Sequence, residues 1–565
     1  MSVVLQGAPS PPTPARSSVA KPGVRIFAMG GLGEVGMNCL AIEQDGQVLL
    51  IDCGVTFDFR GLGVDVIHPD FSAMDAYRDR ILGIFVTHGH EDHIGAIPYF
   101  LARFDVPIWG PKYALALVRN RLAEFEILEH ATMIETDVRE KYEIGPFTVE
   151  PIRVTHSIAD ATALAIKTSA GMVIHTGDFK IDDQPTDGEA FDHSRFRELG
   201  DEGVALLMSD STNVDSEGRA GDERSVEEKL DSIVRETKGA VVVAVFASNI
   251  HRLRLLGEIA IRHGRKIVPL GRSITTHSET AHATGYLDWP SDLTWSAERA
   301  NELPREKILG IATGTQAETR AALARLSRGD HPNFSIGQGD VVAFSSRIIP
   351  GNEPEVYKMM SDLIRRGVEV RSRATDRDIH VSGHACRAEQ RTMISLTRPR
   401  AFIPLHGTLH HLTRHAQLAR EAGVENILAI ENGEVAELTD DGAVQKVGKV
   451  AAGRVHTSNG KEVAPQVIRD RKALAESGVA TVLVKIDSDV TVTIQSRGVV
   501  DAETQSAIVK LAENSARGTI LELLKKEAAA TDIALEARLA VRRVFSKSAG
   551  VKPVTLVTIV RKVAP

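Results

Sequence analysis

From Val24 onward the chain repeats one pattern: a short apolar run that halts abruptly at a polar, titratable residue. "VRIFAMGGLG" and "CLAIEQDGQVLLIDCG" read as strands joined through an Asp45-Gly46 turn. "ILGIFVTHGHEDH" is a buried strand ending in a polar cluster, and further strands are predicted at "FTVEPIRVTH", "TALAIKTSAGMVIHTGD" and "VALLMSD". Helical spacing is predicted around 93–103, 112–125 and 193–199. His156, Asp178 and Asp210 each fall where an apolar strand stops. Functional loops at strand ends above a rigid sheet are the usual α/β arrangement.

Near Gly221 the texture changes. "SVEEKLDSIVRETKGAVVVAVFASNIHRLRLLGEIAIRHGRKIVPLGRS" alternates helix and strand as a βαβ unit of its own, continuing through "EKILGIATGTQ" and "GDVVAFSSRIIPGNE". "RDIHVSGHACRAEQ" and "FIPLHG" then return to strand-end histidines, so the chain is expected to leave one domain, build a second as an insertion, and come back. The expected organisation is a disordered Pro/Ser-rich lead-in (1–23), a first domain in two parts (24–215 and 373–450), an inserted α/β domain (216–372), a polar linker (451–467) and a small α+β domain (468–565). In the last of these, strands are predicted at "ATVLVKID", "DVTVTIQSRG" and "VTLVTIV", and amphipathic helices over roughly 502–526 and 532–545.

The chemistry concentrates in "THGHEDH". His88 and His90 sit one residue apart at a strand end and so point the same way; Asp92 and His93 follow as the chain enters a helix. Imidazole and carboxylate ligands suit Zn²⁺ first, with Mn²⁺ as the alternative. Four such ligands in so short a run suggest two ions, completed by His156, Asp178 and His406, with Asp178 placed to bridge. Paired ions lower the pKa of water and neutralise developing charge, which makes hydrolysis the natural reaction. His130, His175 and His410 add nothing such a site needs, and Glu91 reads as a bystander.

Composition narrows the setting. A net charge of −8 opposes a globally basic nucleic-acid binder, but 67 Lys and Arg leave room for a local positive channel. Cys39, Cys53 and Cys386 are scattered, with no CxxC pair, which fits a reducing compartment and a cytoplasmic protein. No run approaches the roughly 18 apolar residues of a membrane span, and the first 23 residues lack a secretory h-region.

The HxHxDH run with His156, Asp178 and the upstream "LLIDCG" resembles the metallo-β-lactamase superfamily, which implies a four-layer αββα sandwich with Asp52 ordering the ligands from behind. "MSDSTN" (Asp210), "VSGH" (His384) and "PLHG" (His406) are similar to the motifs of its β-CASP nuclease group, and the histidine at 406 resembles the RNA-directed members. "GGLGEVGMN", "FASNIHR", "GRS", "FSSRIIPGNE" and "HVSGH" are similar to bacterial ribonuclease J, from about residue 24 to the end. "ATGTQAETRAAL" departs from that pattern, and Arg347 stands where a smaller residue is usual.

The resemblance implies a two-zinc enzyme that cuts single-stranded RNA internally and also degrades it 5′→3′ from 5′-monophosphate ends. His88, His90 and His156 are assigned to one ion, Asp92, His93 and His406 to the other, and Asp178 to both. His384 is expected to protonate the leaving oxygen, with Asp210 orienting it. Ser345, Ser346, His380 and the Val381–Ser382–Gly383 backbone, next to His384, are expected to wrap the terminal phosphate. Ser248, Asn249 and His251 either touch RNA or cap a helix, and Arg252 and Arg272 are candidates for backbone phosphates. The C-terminal domain is expected to form a homodimer or homotetramer; no membrane is involved. Two other readings stay open: a small-molecule hydrolase, thioesterase- or lactamase-like, on the same fold, and a non-catalytic RNA-binding subunit.

Overall fold

A computed structural model describes residues 23–58, 61–349 and 351–561. The lead-in expected over 1–23 lies, up to residue 22, outside them. The chain divides into two compact units. One runs to Thr56 and from His68 to Arg454; the other joins Phe57–Ile67 to Val455 and the residues beyond it.

The first unit is built on three sheets. An eight-stranded sheet has the spatial order Val444–Lys449, Glu434–Leu438, Val24–Gly30, Cys39–Gln44, Gln47–Ile51, Ile81–Phe85, Ile108–Gly110, Met133–Glu135. A seven-stranded sheet runs Asn426–Ile427, Ala401–Leu405, Val204–Asp210, Gly171–His175, Thr162–Thr168, Phe147–Arg153, Tyr142–Ile144. They share one core: Ile26, Ile42, Leu49 and Phe85 from the first meet Val149, Leu164, Leu206 and Ile403 from the second. With helices outside, this is the expected αββα sandwich. The chain leaves it after Val204–Asp210 and returns in Ala401–Leu405, directly alongside in parallel register (Leu207 opposite Phe402). Between them lies a five-stranded parallel sheet, Lys266–Leu270, Ile308–Ala312, Val241–Ala244, Val341–Phe344, Glu369–Arg371. Its central strands are buried at every position, as parallel strands covered on both faces must be.

The second unit shows the opposite patterning. Val490–Arg497 alternates buried and exposed along its whole length, so one sheet face packs on the helices Ala502–Lys525 and Ala530–Ala549 through Val482, Val492, Ile533 and Phe545. Two sequence expectations change here. Part of the stretch read as a linker forms a hairpin, Arg454–Ser458 with Lys461–Val463. Its turn is Asn459-Gly460, both at positive φ (49° and 72°), the geometry of a two-residue hairpin loop. Residues 57–67, read as part of the first domain, belong to this unit: Asp65 N donates to Thr457 O (2.9 Å), Thr457 Oγ1 to Val66 O (3.1 Å), and Arg471 Nη1 to Leu62 O and Gly63 O (both 2.9 Å). No described helix is long and apolar enough to cross a membrane.

Candidate metal centre

The strand ends of the two facing sheets deliver their polar residues to one place. Ile81–Phe85 leads into His88 and His90, Phe147–Arg153 into His156, Gly171–His175 into Asp178, Val204–Asp210 ends in Asp210, and Ala401–Leu405 leads into His406. The helix Glu91–Ile94 presents Asp92 and His93. Gly54 makes that approach possible. A Cβ there would lie 1.7 Å from Asp92 O, so any side chain would push the helix away.

Three groups of side chains result, each with ligand atoms within 4.8 Å of one another: His88, His90, His156 and Asp178; Asp92, His93, Asp178 and His406; and Asp178, Asp210, His384 and His406. Asp178 belongs to all three. Its Oδ2 lies 3.2 Å from His93 Nε2 and 3.9 Å from both His88 Nε2 and His156 Nε2, while Oδ1 lies 2.7 Å from His406 Nδ1. His93 Nε2 and His406 Nε2 stand 3.7 and 3.5 Å from Asp92 Oδ2.

The hydrogen bonds behind these rings fix which nitrogen faces inward. Asp52 accepts from Thr87 N (2.7 Å), Thr87 Oγ1 (2.8 Å) and His93 Nδ1 (2.7 Å). Because the Thr87 hydroxyl donates to Asp52, it must accept from His88 Nδ1, 3.0 Å away. His156 Nδ1 donates to Gly383 O at 2.6 Å. His88 and His156 therefore turn unprotonated Nε2 atoms inward, and His93 directs its Nε2 to the same place. His88 Nε2 and His156 Nε2 each lie 3.1 Å from His90 Nδ1. Lone pairs gathered so closely repel unless a cation or proton sits among them, so the donor set fits a divalent metal.

Burial makes the same point. It pushes the imidazoles of His88 and His90 well below their usual range and His156 to about 3, keeping these three unprotonated as ligands must be, whereas at His93 and His406 burial is outweighed by carboxylates, Asp178 first, which raise both. At His384 burial also lowers the pKa, but the carboxylates of Asp210 and Asp178 outweigh it and raise the ring to about 9. His384 Nδ1 lies 2.9 Å from Asp210 Oδ2, whose other oxygen accepts from Thr212 N (2.9 Å) and Thr212 Oγ1 (2.7 Å).

Other expected site residues resolve individually. Gly383 needs its missing side chain, since a Cβ would stand 2.5 Å from Ser157 Oγ. Ser382 Oγ accepts from Asn213 Nδ2 and His384 N. The N–H groups of Val381, Ser382 and Gly383 have no partner among the described residues. Ser345 is committed: its hydroxyl donates to Ile379 O (2.6 Å) and accepts from Arg252 Nη1, and its N–H donates to Ala244 O. Among the described residues Ser346 makes no such bond, and His380 Nδ1 is buried without a partner. Asn249 caps the helix Ile250–Arg262 by accepting from Arg252 N, Ser248 is half-buried beside it, and His251 Nδ1 meets Thr186 Oγ1 at 3.1 Å.

Arg252 corrects its expectation. It is fully buried and pairs with Glu223 (2.8 Å), so it cannot reach a backbone phosphate. Glu91 turns away to Arg121 (2.9 Å), and His410 pairs with Asp215 on the surface (2.8 Å). Asn38, not assigned a role from the sequence, places Nδ2 3.0 Å from His93 Nε2 and 3.1 Å from Asp92 O; its signal was its place at the end of "GGLGEVGMN".

The chain matches four family descriptions in order: "Metallo-beta-lactamase superfamily" over 32–201, "Ribonuclease J, beta-CASP domain" over 238–363, "Zn-dependent metallo-hydrolase RNA specificity domain" over 367–429 and "Ribonuclease J C-terminal domain" over 466–562. It is 40% identical over 464 residues to ribonuclease J of Synechocystis sp., covering 81% of this chain and 72% of that protein. It is 37% identical over 473 residues to ribonuclease J of Helicobacter pylori (82% and 68%). Corynebacterium glutamicum ribonuclease J is 36% identical over 494 residues (86% and 67%). A crystal structure of a protein of unknown function from Enterococcus faecalis shares the fold at 15% identity, with a TM-score of 0.54 over 74% of this chain and all of that one. The four matched regions and the length of these similarities establish that the chain belongs to the ribonuclease J family.

Proposed function

We propose that this metal-dependent ribonuclease binds two divalent ions per chain, one on His88, His90 and His156 and one on Asp92, His93 and His406, with Asp178 shared. Zn²⁺ suits the imidazole-rich set and Mn²⁺ is the alternative. When bound, such ions supply Lewis acidity and neutralise charge developing on a phosphodiester. The observation that carries the reading is the third cluster, in which His384 and Asp210 stand beside both ligand groups through Asp178. An acid–base pair next to two ligand sets is what in-line phosphodiester hydrolysis requires.

In this reading His384 delivers a proton to the departing 3′-oxygen, and Asp210, itself fixed by Thr212, holds the ring in place. The 5′-monophosphate end of a single-stranded RNA is held by Ser346, His380 and the free N–H groups of Val381–Gly383. Ser345 shapes that pocket from behind. The enzyme cuts both internally and 5′→3′ and works in the cytoplasm. Self-association is assigned to the C-terminal unit, where Leu483, Leu556 and Val560 are exposed on the solvent face of the sheet.

The test compares 5′-monophosphate, 5′-triphosphate and circular RNA. Wild type should prefer the monophosphate and still open the circle. His384→Ala should slow all three by roughly 10²–10⁴-fold with metal content unchanged. His380→Ala should narrow only the mono- over triphosphate preference; an unchanged ratio would remove His380 from the pocket. Leu556→Lys should lower the sedimentation coefficient, and identical sedimentation would reject this face as the contact.

A further inference from the structure

Away from the ligand clusters, a cavity of about 560 Å³ is lined by residues of the helices His193–Glu202 and Arg387–Thr397. That volume lies within the roughly 300–1,000 Å³ usual for ligand sites. Its lining carries four guanidinium groups, Arg197, Arg387, Arg391 and Arg398, against one carboxylate, Glu217. Positions 387, 391 and 395 share one helix face, and 398 follows just beyond its end. Arg387 and Arg391 are separated by about 6 Å along the axis at 1.5 Å per residue, close to the spacing of successive phosphates in an extended strand.

These cations are incompletely neutralised. Arg387 Nε lies 3.5 Å from Glu217 Oε1, and one oxygen of Glu421 serves both Arg387 Nη2 (2.9 Å) and Arg391 Nη2 (3.1 Å). Arg398 pairs with Asp201, but Arg197 has no carboxylate partner among the described residues. Arg387 Nη1 is buried with no acceptor among the described residues. A buried N–H without an acceptor is uncommon and unfavourable, and the exposed guanidinium groups of Arg197 and Arg391 are the ones an anion in the cavity would meet. The same helix reaches the candidate centre from another side: Gln390 Nε2 donates to Asp210 O (3.1 Å), and Arg387 lies three residues beyond His384.

We infer that this cavity is a second RNA-backbone site, taking phosphodiester groups of a single strand outside the cleavage centre. The inference rests on the ribonuclease reading. Guanidinium forks match phosphate bidentately where ammonium groups do not, and a concave arginine row suits a threaded polyanion better than the flat face of an acidic protein.

The test uses the full chain, its metal in place, and a nuclease-resistant phosphorothioate RNA. Arg197→Gln/Arg391→Gln replaces two exposed side chains. It should reduce the log–log salt slope for a long single strand by about 1.4, at about 0.7 per lost phosphate contact, and leave binding of a dinucleotide unchanged. Arg197→Lys/Arg391→Lys should restore most of the slope. An unchanged slope in the glutamine variant overturns the site, as would be expected if an acidic protein were its partner; equal loss in the lysine variant also overturns it, because charge would not be the cause. Failure of wild type to bind any RNA would instead sink the ribonuclease reading itself.

Discussion

Asp52 illustrates how a single residue sets the candidate centre. It is buried, its backbone is at φ 59°, and it touches no other member of the ligand set but His93. Its Oδ2 fixes His93 directly and His88 through the Thr87 hydroxyl, while Oδ1 accepts from Thr87 N. Such partners typically account for 10–100-fold in metal affinity. Asp52→Ala should therefore weaken metal binding by roughly 10–100-fold in chelator competition while the protein stays folded; unaltered affinity would show that the rings are held by packing alone. The ligand candidates were legible because His88, His90, His156, Asp178 and His406 follow apolar strands and Asp92 and His93 continue the same run, a pattern local to the sequence. Arg252 was not. A buried arginine and a phosphate-binding one look alike in sequence, and its partner Glu223 lies 29 positions away.

At the scale of elements, that pair joins the helices Glu223–Glu236 and Ile250–Arg262. Burial pushes the Glu223 carboxyl upward, but Arg252 and Lys180 outweigh it and hold it at about 2. A lowered carboxylate stabilises the fold fully above its unfolded pKa of about 4.5 and loses that contribution as pH falls through about 2. Glu223→Gln leaves a buried guanidinium unpaired and should reduce stability at pH 7 by about 3–5 kcal/mol. The gap to wild type in denaturant unfolding should hold down to mildly acidic pH and close toward pH 2; a gap independent of pH would assign the loss to packing. The hairpin at Asn459-Gly460 shows the reverse failure of sequence reading. Its turn signal is strong, but the short strands beside it are polar and lack the apolar alternation that marks a sheet, so "HTSNGKEV" resembled a linker.

For the whole molecule, the inserted sheet followed from patterning, because fully buried parallel strands leave local marks, whereas the sandwich followed from the resemblance that the HxHxDH run and its partner residues carry. The grouping of residues 57–67 with the C-terminal unit left none, since it depends on backbone hydrogen bonds to Thr457 and side-chain bonds from Arg471. The C-terminal unit is thus not a detachable appendage. A chain ending at Gly453 should show new proteolysis within 57–67, where Val64 and Ile67 are otherwise buried; cleavage no faster than in the full chain would mean that this segment is protected without its partner.

That discontinuity has a temporal side. On the ribosome, residues 57–67 emerge about 390 residues before Val455, a wait of roughly 20–80 s at ordinary elongation rates. Every candidate metal ligand, ending with His406, is synthesised within that interval. The nascent chain can therefore gather its ligands while residues 57–67 still lack Thr457 and Arg471, their hydrogen-bond partners in the second unit. During that wait the backbone groups of Asp65 and Val66 have no Thr457 to pair with.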